Sequence, residues 1–438
     1  MYITRVILKN IRCFKQIDLD FRSDDVTNTW TLVLGDNGVG KTTLLRSIAM
    51  ALCDASGAAG LLQELYGEWV RSEGPDGGTA EIAVQLAPDR HLAATHTVKI
   101  TIEQPSAGEP RVTQEIEPAS AADTIWDNIF VCGYGSARRA YGTKDYSDYS
   151  VVDSVYTLFN YDSPLQNPEL ILRRINSKKT DQEVARLLDK ICSVLCLPAG
   201  SIKLEFNGIK VSGPWGTFMP LGAIGDGYQA TFAWICDMLS WAMFYDPDVD
   251  SWEDLTGIVL LDEIEQHLHP SWQKRVIGEI ARQFPSLQFI ATTHSPLCAI
   301  GAAELRQDDC GICLLEQKEN HVEANCSYSI PRRERADQVL TSHLFGLDTT
   351  RADSVAEDIV RLSKLLSKPD PSLSEQKQID ATRQRLSQEL GSEENPFTRT
   401  IVDGIRQYLA THAAEEIRKS PSEVVSFEIK RQLRDLMR

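Results

Sequence analysis

The sequence predicts an α/β protein with a mixed or parallel core sheet, an antiparallel β subdomain, a helical insertion and a C-terminal helical region. Three observations lead to this prediction. A glycine-rich stretch, GDNGVGKT at 35–42, separates a short apolar strand from a helix-forming run. Two further apolar runs, 257–261 and 289–291, each end in polar residues. Strands that are apolar throughout are buried on both faces, which is typical of parallel strands in an α/β sheet.

The glycine-rich stretch has the context that a phosphate-binding loop needs, because the strand Thr31–Leu34 enters it and the helical run Thr43–Ala49 leaves it. Its glycines let successive N–H groups face one anion, and the positive end of the helix dipole points to the same place. The predicted nucleotide ligands are Gly35, Asp36, Asn37, Gly38, Val39, Gly40, Lys41, Thr42 and Thr43. Lys41 suits the β- and γ-phosphates and Thr42 suits Mg²⁺. The alternative, a chance surface turn, does not explain the flanking elements. The sequence therefore predicts a nucleoside triphosphate site.

The run Gly257–Leu261 ends in two acids, Asp262 and Glu263. Placing two carboxylates after a buried strand costs free energy unless they serve a cation or a reaction. We expect Asp262 to hold Mg²⁺ opposite Thr42, and Glu263 to deprotonate the attacking water as the catalytic base. The alternative is a helix N-terminal cap, where acids are also common.

Two polar turns complete the predicted constellation. The strand 289–291 leads into Thr292-Thr293-His294-Ser295-Pro296, where His294 is placed to contact the γ-phosphate. Gly225, Asp226 and Gly227 open a long apolar helix, whose N-terminus favours anions. Taken alone, His294 fits a structural histidine equally well, and its position some thirty residues after the acidic pair favours the functional interpretation.

Composition limits the class of protein. The chain has 438 residues, 42% of them hydrophobic, and a net charge of −17. This charge disfavours a uniformly basic nucleic-acid-coating surface. The N-terminus has no signal-peptide pattern, and no apolar run approaches the roughly 20 residues that span a bilayer, so we expect a cytoplasmic protein without a membrane partner. The ten cysteines predict reduced, buried thiols, including Cys310 and Cys313 and the pair Cys192 and Cys196.

The remaining patterns predict the organisation of the chain into four parts. These are a first lobe over 1–139, a partly helical insertion over 140–200, a second lobe over 201–350 and a helical region over 351–438 that is available for partner docking. Alternating runs predict antiparallel strands, and Asn207-Gly208 predicts a hairpin turn. The predicted strands are Tyr2–Leu8, Ile17–Phe21, Ala80–Leu86, His96–Glu103, Arg111–Glu117, 128–132, Ile202–Phe206 and Ile209–Val211.

The four polar segments, in this order, resemble the ABC-type ATPase heads of the SMC/RecF/OLD superfamily. GDNGVGKT resembles the Walker A motif, VLLDE the Walker B motif, GDGYQ the signature and TTHSP the histidine switch. The opening, with its Arg12-Cys13-Phe14 turn, and the segment EIEQHLHP at 263–270 are similar to the RecF-like and OLD-like branch. The resemblance implies that ATP, Mg²⁺ and Arg12 meet at the site.

The resemblance also implies an assembly. Two heads would form a homodimer, or part of a higher homo-oligomer, with Gly225, Asp226 and Gly227 of one subunit closing on ATP bound by the other. His267 and His269 would then lie near the shared interface. Gly225 stands where the family usually has serine, so a hydroxyl donor is missing and we expect slow hydrolysis, as suits a switch.

The short spacing between Walker A and signature excludes long coiled-coil arms, and the end of the chain lacks acid-tipped strands of a fused nuclease. The compact head, the GYGSARR turn at 133–139, GDGYQ and the run 339–347 resemble those of small RecF/OLD-like ATPases of bacterial anti-phage systems, including Septu and retron-associated ones. That likeness implies a separately encoded effector, of the HNH nuclease type. The alternative is a RecF-like repair ATPase that binds nucleic acid directly. Candidate basic residues for it are Arg138, Arg139, Arg173, Arg174, Lys178 and Lys179.

Overall fold

The computed structural model describes residues 1–65, 68–71, 78–88, 90–91, 95–105, 108–121, 125–139, 142, 146–249, 251–328, 330–332, 334–366 and 372–389. The chain divides into two compact units, Met1–Asp348 and Thr349–Arg438. Each unit is described separately.

The first unit contains all the described strands. They are β1 Tyr2–Ile11, β2 Phe14–Asp20, β3 Arg22–Ser23, β4 Val26–Thr27, β5 Trp30–Leu34, β6 Gly78–Ala87, β7 His96–Gln104, β8 Arg111–Glu117, β9 Val131–Tyr134, β10 Ile202–Glu205, β11 Gly208–Val211, β12 Met219–Pro220, β13 Gly257–Leu261, β14 Leu287–Thr292, β15 Cys310–Gln317 and β16 Val322–Tyr328.

The helices of the first unit are α1 Lys41–Ala51, α2 Ala55–Gln63, α3 Val151–Val155, α4 Pro168–Lys178, α5 Asp181–Val194, α6 Asp226–Tyr245, α7 Pro270–Gln283, α8 Pro296–Gly301 and α9 Ala336–Leu340. The second unit contains α10 Asp353–Leu366 and α11 Leu373–Glu389, joined by an ion pair from Arg385 to Asp358 at 3.3 Å. The predicted helical region over 351–438 includes residues 367–371 and 390–438, which lie outside the described residues. In the described part of the chain no helix has the length and apolar character needed to cross a membrane.

A six-stranded sheet forms the core, in the order β16-β15-β5-β14-β13-β9. The strands from β15 to β9 are parallel, and β16 runs antiparallel at one edge. Strands β5, β13 and β14 are buried at every residue, which matches their uninterrupted apolar sequences. The predicted mixed α/β core is therefore confirmed, and the carboxyl ends of three strands bring their polar turns to one edge.

A second, antiparallel sheet has the order β2-β1-β6-β7-β8. Buried and exposed residues alternate along β7 and along β2, as expected for strands with one solvated face. The predicted antiparallel subdomain is confirmed, with strand limits that differ from the prediction by up to three residues. The hairpin at Asn207-Gly208 is also present, and it extends to a three-stranded sheet of β10, β11 and β12.

The cysteine prediction is wrong at one pair. Cys313 and Cys326 form a disulfide between β15 and β16. The two residues lie on neighbouring antiparallel strands, where the register shifts between Ile312 and Leu314, and their Cα atoms are 3.9 Å apart. This pairing has no sequence signal, because Cys326 belongs to no motif. Cys310 and Cys192 are buried free thiols, as predicted.

Helix α6 packs through the core and carries one buried carboxylate, Asp237, which is 3% exposed. Its oxygens accept hydrogen bonds from the Tyr134 hydroxyl at 3.0 Å and the Gln166 backbone N–H at 3.1 Å. Burial raises the pKa of Asp237 to about 6. This acid connects α6, β9 and the segment before α4 at a cost in desolvation.

The buried acid makes an isosteric change informative. We expect the free energy of unfolding of Asp237→Asn to increase relative to that of the wild type as pH rises. The folded-state pKa lies above the ordinary value of 3.8, so the stabilising contribution of the protonated acid is complete below about pH 4 and is lost as pH rises through 6. The relative free energy of unfolding should change by a few kcal/mol, because each unit of pKa shift corresponds to about 1.4 kcal/mol. Urea unfolding of both proteins at pH 4, 5, 6 and 7 measures it, and a constant difference would contradict it.

Candidate nucleotide-binding site

The glycine-rich loop between β5 and α1 has the backbone geometry of an anion cradle. Gly35, Gly38 and Gly40 have φ values of +145°, +83° and +94°, which L side chains rarely adopt. A Cβ atom on Gly35 would lie 2.6 Å from the Leu315 carbonyl oxygen, and one on Gly40 would collide with the Cys13 sulfur. The loop therefore requires glycine at both points.

Lys41 folds over this loop. Its ammonium donates to the carbonyl oxygens of Gly35 and Asp36, both at 2.8 Å. Burial lowers the pKa of Lys41, and the nearby carboxylates of Asp262 and Glu263 act in the opposite direction. A buried cation beside a set of converging N–H groups fits a bound polyphosphate.

Asp262 is the centre of a hydrogen-bonded array and is only 2% exposed. Its Oδ2 accepts from the Thr42 hydroxyl at 2.7 Å, and its Oδ1 accepts from the Thr292 hydroxyl at 2.7 Å. The adjacent hydroxyl of Thr42 and carboxylate of Asp262 are hard oxygen ligands of the type that Mg²⁺ prefers. The residues present therefore fit the predicted metal.

Glu263 follows Asp262 in a left-handed conformation, with φ of +49°. Its backbone N–H donates to the Thr292 hydroxyl at 2.7 Å, so one threonine holds both acids. Burial, together with the charges of Asp262 and Glu265, raises the pKa of Glu263. A carboxylate with a raised pKa beside the cradle is suited to accept a proton from water.

His294 lies on the same edge, after β14. Its backbone N–H donates to Glu265 Oε1 at 2.6 Å, and its charge acts to lower the pKa of Glu263. Glu265 Oε2 is buried without a hydrogen-bond partner. The structure thus brings together Lys41, Thr42, Asp262, Glu263 and His294, which the sequence predicted from separate motifs.

Two residues of this edge have roles that the sequence did not predict. Thr292 bridges the two acids. Its position in the TTHSP turn is the sequence signal that could have indicated this role. Arg138 is buried, and it donates to the carbonyl oxygens of Asp262 and of Glu263, the latter at 3.1 Å. Burial lowers the pKa of Arg138 to about 10. Its guanidinium therefore holds the backbone of the acidic pair.

The turn Gly225–Gly227 lies elsewhere in the subunit. Gly225 caps α6, and a Cβ atom on Gly227 would collide with the carbonyl oxygen of His267. The turn lines a groove of about 590 Å³, and no residue of the Gly35–Thr42 loop is among those described as lining it. The lining residues are Cys196, Gly225, Asp226, Gly227, Tyr228, His267, His269, Ser271, Trp272 and Arg275.

Arg12 lies in the turn between β1 and β2, with its guanidinium 4.6 Å from the centroid of the Trp69 ring. The next residue, Cys13, contacts the Val39 carbonyl oxygen through its sulfur at 3.5 Å. The turn therefore supports the glycine-rich loop from outside.

The proposed basic groove is not a free cationic surface. Besides the buried Arg138, internal contacts engage the Arg139, Arg173, Arg174 and Lys179 side chains: Arg139 pairs with Asp162, Arg173 with Glu169, Arg174 with the Phe244 ring and Lys179 with the Val249 carbonyl. These four side chains therefore make contacts within the subunit, and direct binding of nucleic acid stays a prediction.

Two family profiles match the chain. The profile described as "AAA domain, putative AbiEii toxin, Type IV TA system" matches residues 163–299, and a profile described as "AAA domain" matches residues 5–112. Together they cover the segments that carry the glycine-rich loop, the signature turn and the acidic pair.

Two curated proteins are similar in sequence to this chain. Septu protein PtuA of Bacillus mycoides is 26% identical over 88% of this chain and 50% of its own length. The "Retron Ec83 probable ATPase" of Escherichia coli is 42% identical over 17% of this chain and 14% of its own length. These matches support the resemblance to SMC/RecF/OLD-like ATPases. The chain spans about half of the first relative and a smaller part of the second.

One similar solved structure comes from a bacterial SMC protein. The SMC head domain from Thermotoga maritima covers 75% of this chain and 100% of its own, at 15% identity and a TM-score of 0.42.

The contact between Gly227 and His267 predicts that a side chain at position 227 destabilises the protein. We expect Gly227→Ala to lower the free energy of unfolding by about 1–3 kcal/mol, because the added methyl overlaps a backbone carbonyl that cannot move freely. Chemical denaturation measures the loss. Gly60→Ala is the matched control, since Gly60 lies in α2 with open space around it and alanine favours helix there. Equal stability of both variants would contradict the prediction.

Proposed function

We propose that this protein binds ATP with Mg²⁺ and hydrolyses it slowly. The observation that carries the proposal is the bonded array in which Asp262 accepts from Thr42 on the glycine-rich loop and from Thr292 on β14. Such an array places a phosphate cradle, a metal-ligand pair and a raised-pKa carboxylate at one edge of the sheet. This is the set of parts that phosphoryl transfer to water requires.

Each residue of the site has a role that follows from its chemistry. Lys41 and the loop N–H groups bind the phosphates and offset their charge. Thr42 and Asp262 would hold Mg²⁺, which supplies additional charge stabilisation at the phosphates when bound. Glu263 orients the attacking water and accepts its proton, while His294 contacts the terminal phosphate. Arg138 and Thr292 position Glu263 by fixing its backbone on both sides.

The groove beside Gly225 supports an ATP-bridged homodimer. It combines the exposed N-terminus of a 20-residue helix with Arg275 and two histidines, a set that favours an anion from outside the subunit. Gly225 supplies no hydroxyl, so the second subunit contributes fewer donors than a serine turn would. Slow hydrolysis and a long-lived dimer follow from this, which suits a regulatory switch.

We further propose that the switch acts in bacterial anti-phage defence, in the cytoplasm, by controlling a separately encoded effector of the HNH nuclease type. The similarity to Septu protein PtuA along 88% of this chain, with a second similarity to a retron ATPase, supports this role. The identity of the effector is a proposal from that relationship.

Removal of the loop cation tests nucleotide binding. We expect Lys41→Ala to weaken ATP affinity at least about 100-fold, because a buried cation contacting two phosphates contributes several charge-assisted hydrogen bonds. Calorimetric titration with ATP and Mg²⁺ measures it. Lys318→Ala, at a partly exposed lysine of the same unit, is the control and should bind ATP as the wild type does. Tight ATP binding by Lys41→Ala would refute the assigned cradle.

Removal of the base tests the dimer. We expect Glu263→Gln to abolish hydrolysis while retaining ATP, so that the ATP-bound assembly accumulates. Light scattering with ATP and Mg²⁺ should show at least a doubling of the molar mass relative to the nucleotide-free protein. Glu323→Gln, at an exposed glutamate, should behave as the wild type does. A mass unchanged by ATP in Glu263→Gln would count against the bridged dimer.

A further inference from the structure

A partly exposed aromatic ring lies beside the helix that follows the phosphate cradle. Tyr161 is 47% exposed, whereas most large apolar and aromatic side chains of the described chain are buried. The guanidinium carbon of Arg46 lies 5.3 Å from the centroid of its ring and 6.0 Å from that of Phe159. Arg46 is itself 7% exposed, and its Nε donates to the Leu158 carbonyl at 2.6 Å. The cation and the ring are therefore held in a fixed pair.

Helical spacing places this pair close to the cradle. Arg46 follows Thr42 by four residues and Thr43 by three on α1. Residues at these spacings are neighbours on one helix face, with Cβ atoms about 5–6 Å apart. Arg46 thus lies about one turn beyond the residues predicted to contact phosphate, on the same face. A position one helical turn, about 5.4 Å, beyond the predicted phosphate ligands is within reach of a nucleoside attached to those phosphates.

A second guanidinium reaches the same surface from the β1–β2 turn. Burial lowers the pKa of Arg12, and the charge of Arg46 lowers it further. Tyr161 acts on this pKa in the opposite direction. The three side chains are therefore near one another. The Arg12 turn also packs against the glycine-rich loop, because Cys13 and Phe14 occupy the space beside Gly40. Cationic and aromatic groups from three separate chain segments converge outside the cradle.

These groups have the chemistry of a nucleoside site. Nucleobases stack on aromatic faces and on planar guanidinium groups, and fixed cations complement the phosphate nearest the ribose. We propose that Tyr161 stacks on the base of the bound nucleotide, with Arg46 holding its ring in place and Arg12 facing the nucleoside. This inference rests on the proposed nucleotide binding and adds the residue that recognises the base.

The test separates the base from the phosphates. Calorimetric titrations of the full chain with Mg²⁺ compare ATP and inorganic tripolyphosphate as ligands of the wild type and Tyr161→Ala. We expect Tyr161→Ala to weaken ATP binding about tenfold or more and to leave tripolyphosphate binding unchanged, because only ATP carries a base. Tyr161→Phe keeps the ring and should bind ATP within about threefold of the wild type.

The controls distinguish the base-stacking role of Tyr161 from nucleotide binding itself. Phe206→Ala removes a ring that is 99% exposed at the β10–β11 turn, and it should leave both affinities unchanged. An ATP to tripolyphosphate affinity ratio that is the same in Tyr161→Ala and the wild type would overturn the base-stacking role while nucleotide binding stands. A wild type that binds neither ligand would overturn the proposed function and this inference together.

Discussion

The carboxylate of Asp262 is the constraint on which the site depends. It is almost fully buried, and an unpaired buried carboxylate would be costly. Hydroxyl groups from Thr42 and Thr292 satisfy one oxygen each. The same contacts connect the loop after β5, the end of β13 and the end of β14. One charged group therefore fixes three polar turns relative to one another.

The parallel sheet makes this arrangement possible. Strands β5, β14 and β13 are neighbours with matching direction, so their carboxyl ends share an edge. Binding sites in α/β sheets form at such edges because the loops there project from a rigid, fully bonded framework. Arg138, which follows β9, extends the same edge by one strand and binds the backbone of the acidic pair.

The features that depend on local backbone conformation and local composition could be predicted from short sequence patterns. The cradle needs positive φ at Gly38 and Gly40, and an apolar strand ending in two acids is unusual enough to indicate a cation site. Among contacts between distant segments, the motifs predicted that Asp262 lies opposite Thr42, although 220 residues separate them. They did not predict that Arg138 binds the backbone of the acidic pair, nor that Cys313 and Cys326 form a disulfide. The mixed sheet and the central pair of the site were therefore predictable, whereas the supporting contacts were not.

The absence of a side chain at Gly227 has a mechanical consequence. Its backbone lies directly against the His267 carbonyl, and His267 follows Glu263 by four residues in a segment whose ends both have left-handed φ. The first turn of α6 and the backbone segment that follows Glu263 are therefore in direct contact, with no side chain between them. A shift of this turn toward His267 would press directly on that segment, because no intervening side chain could rearrange to absorb it.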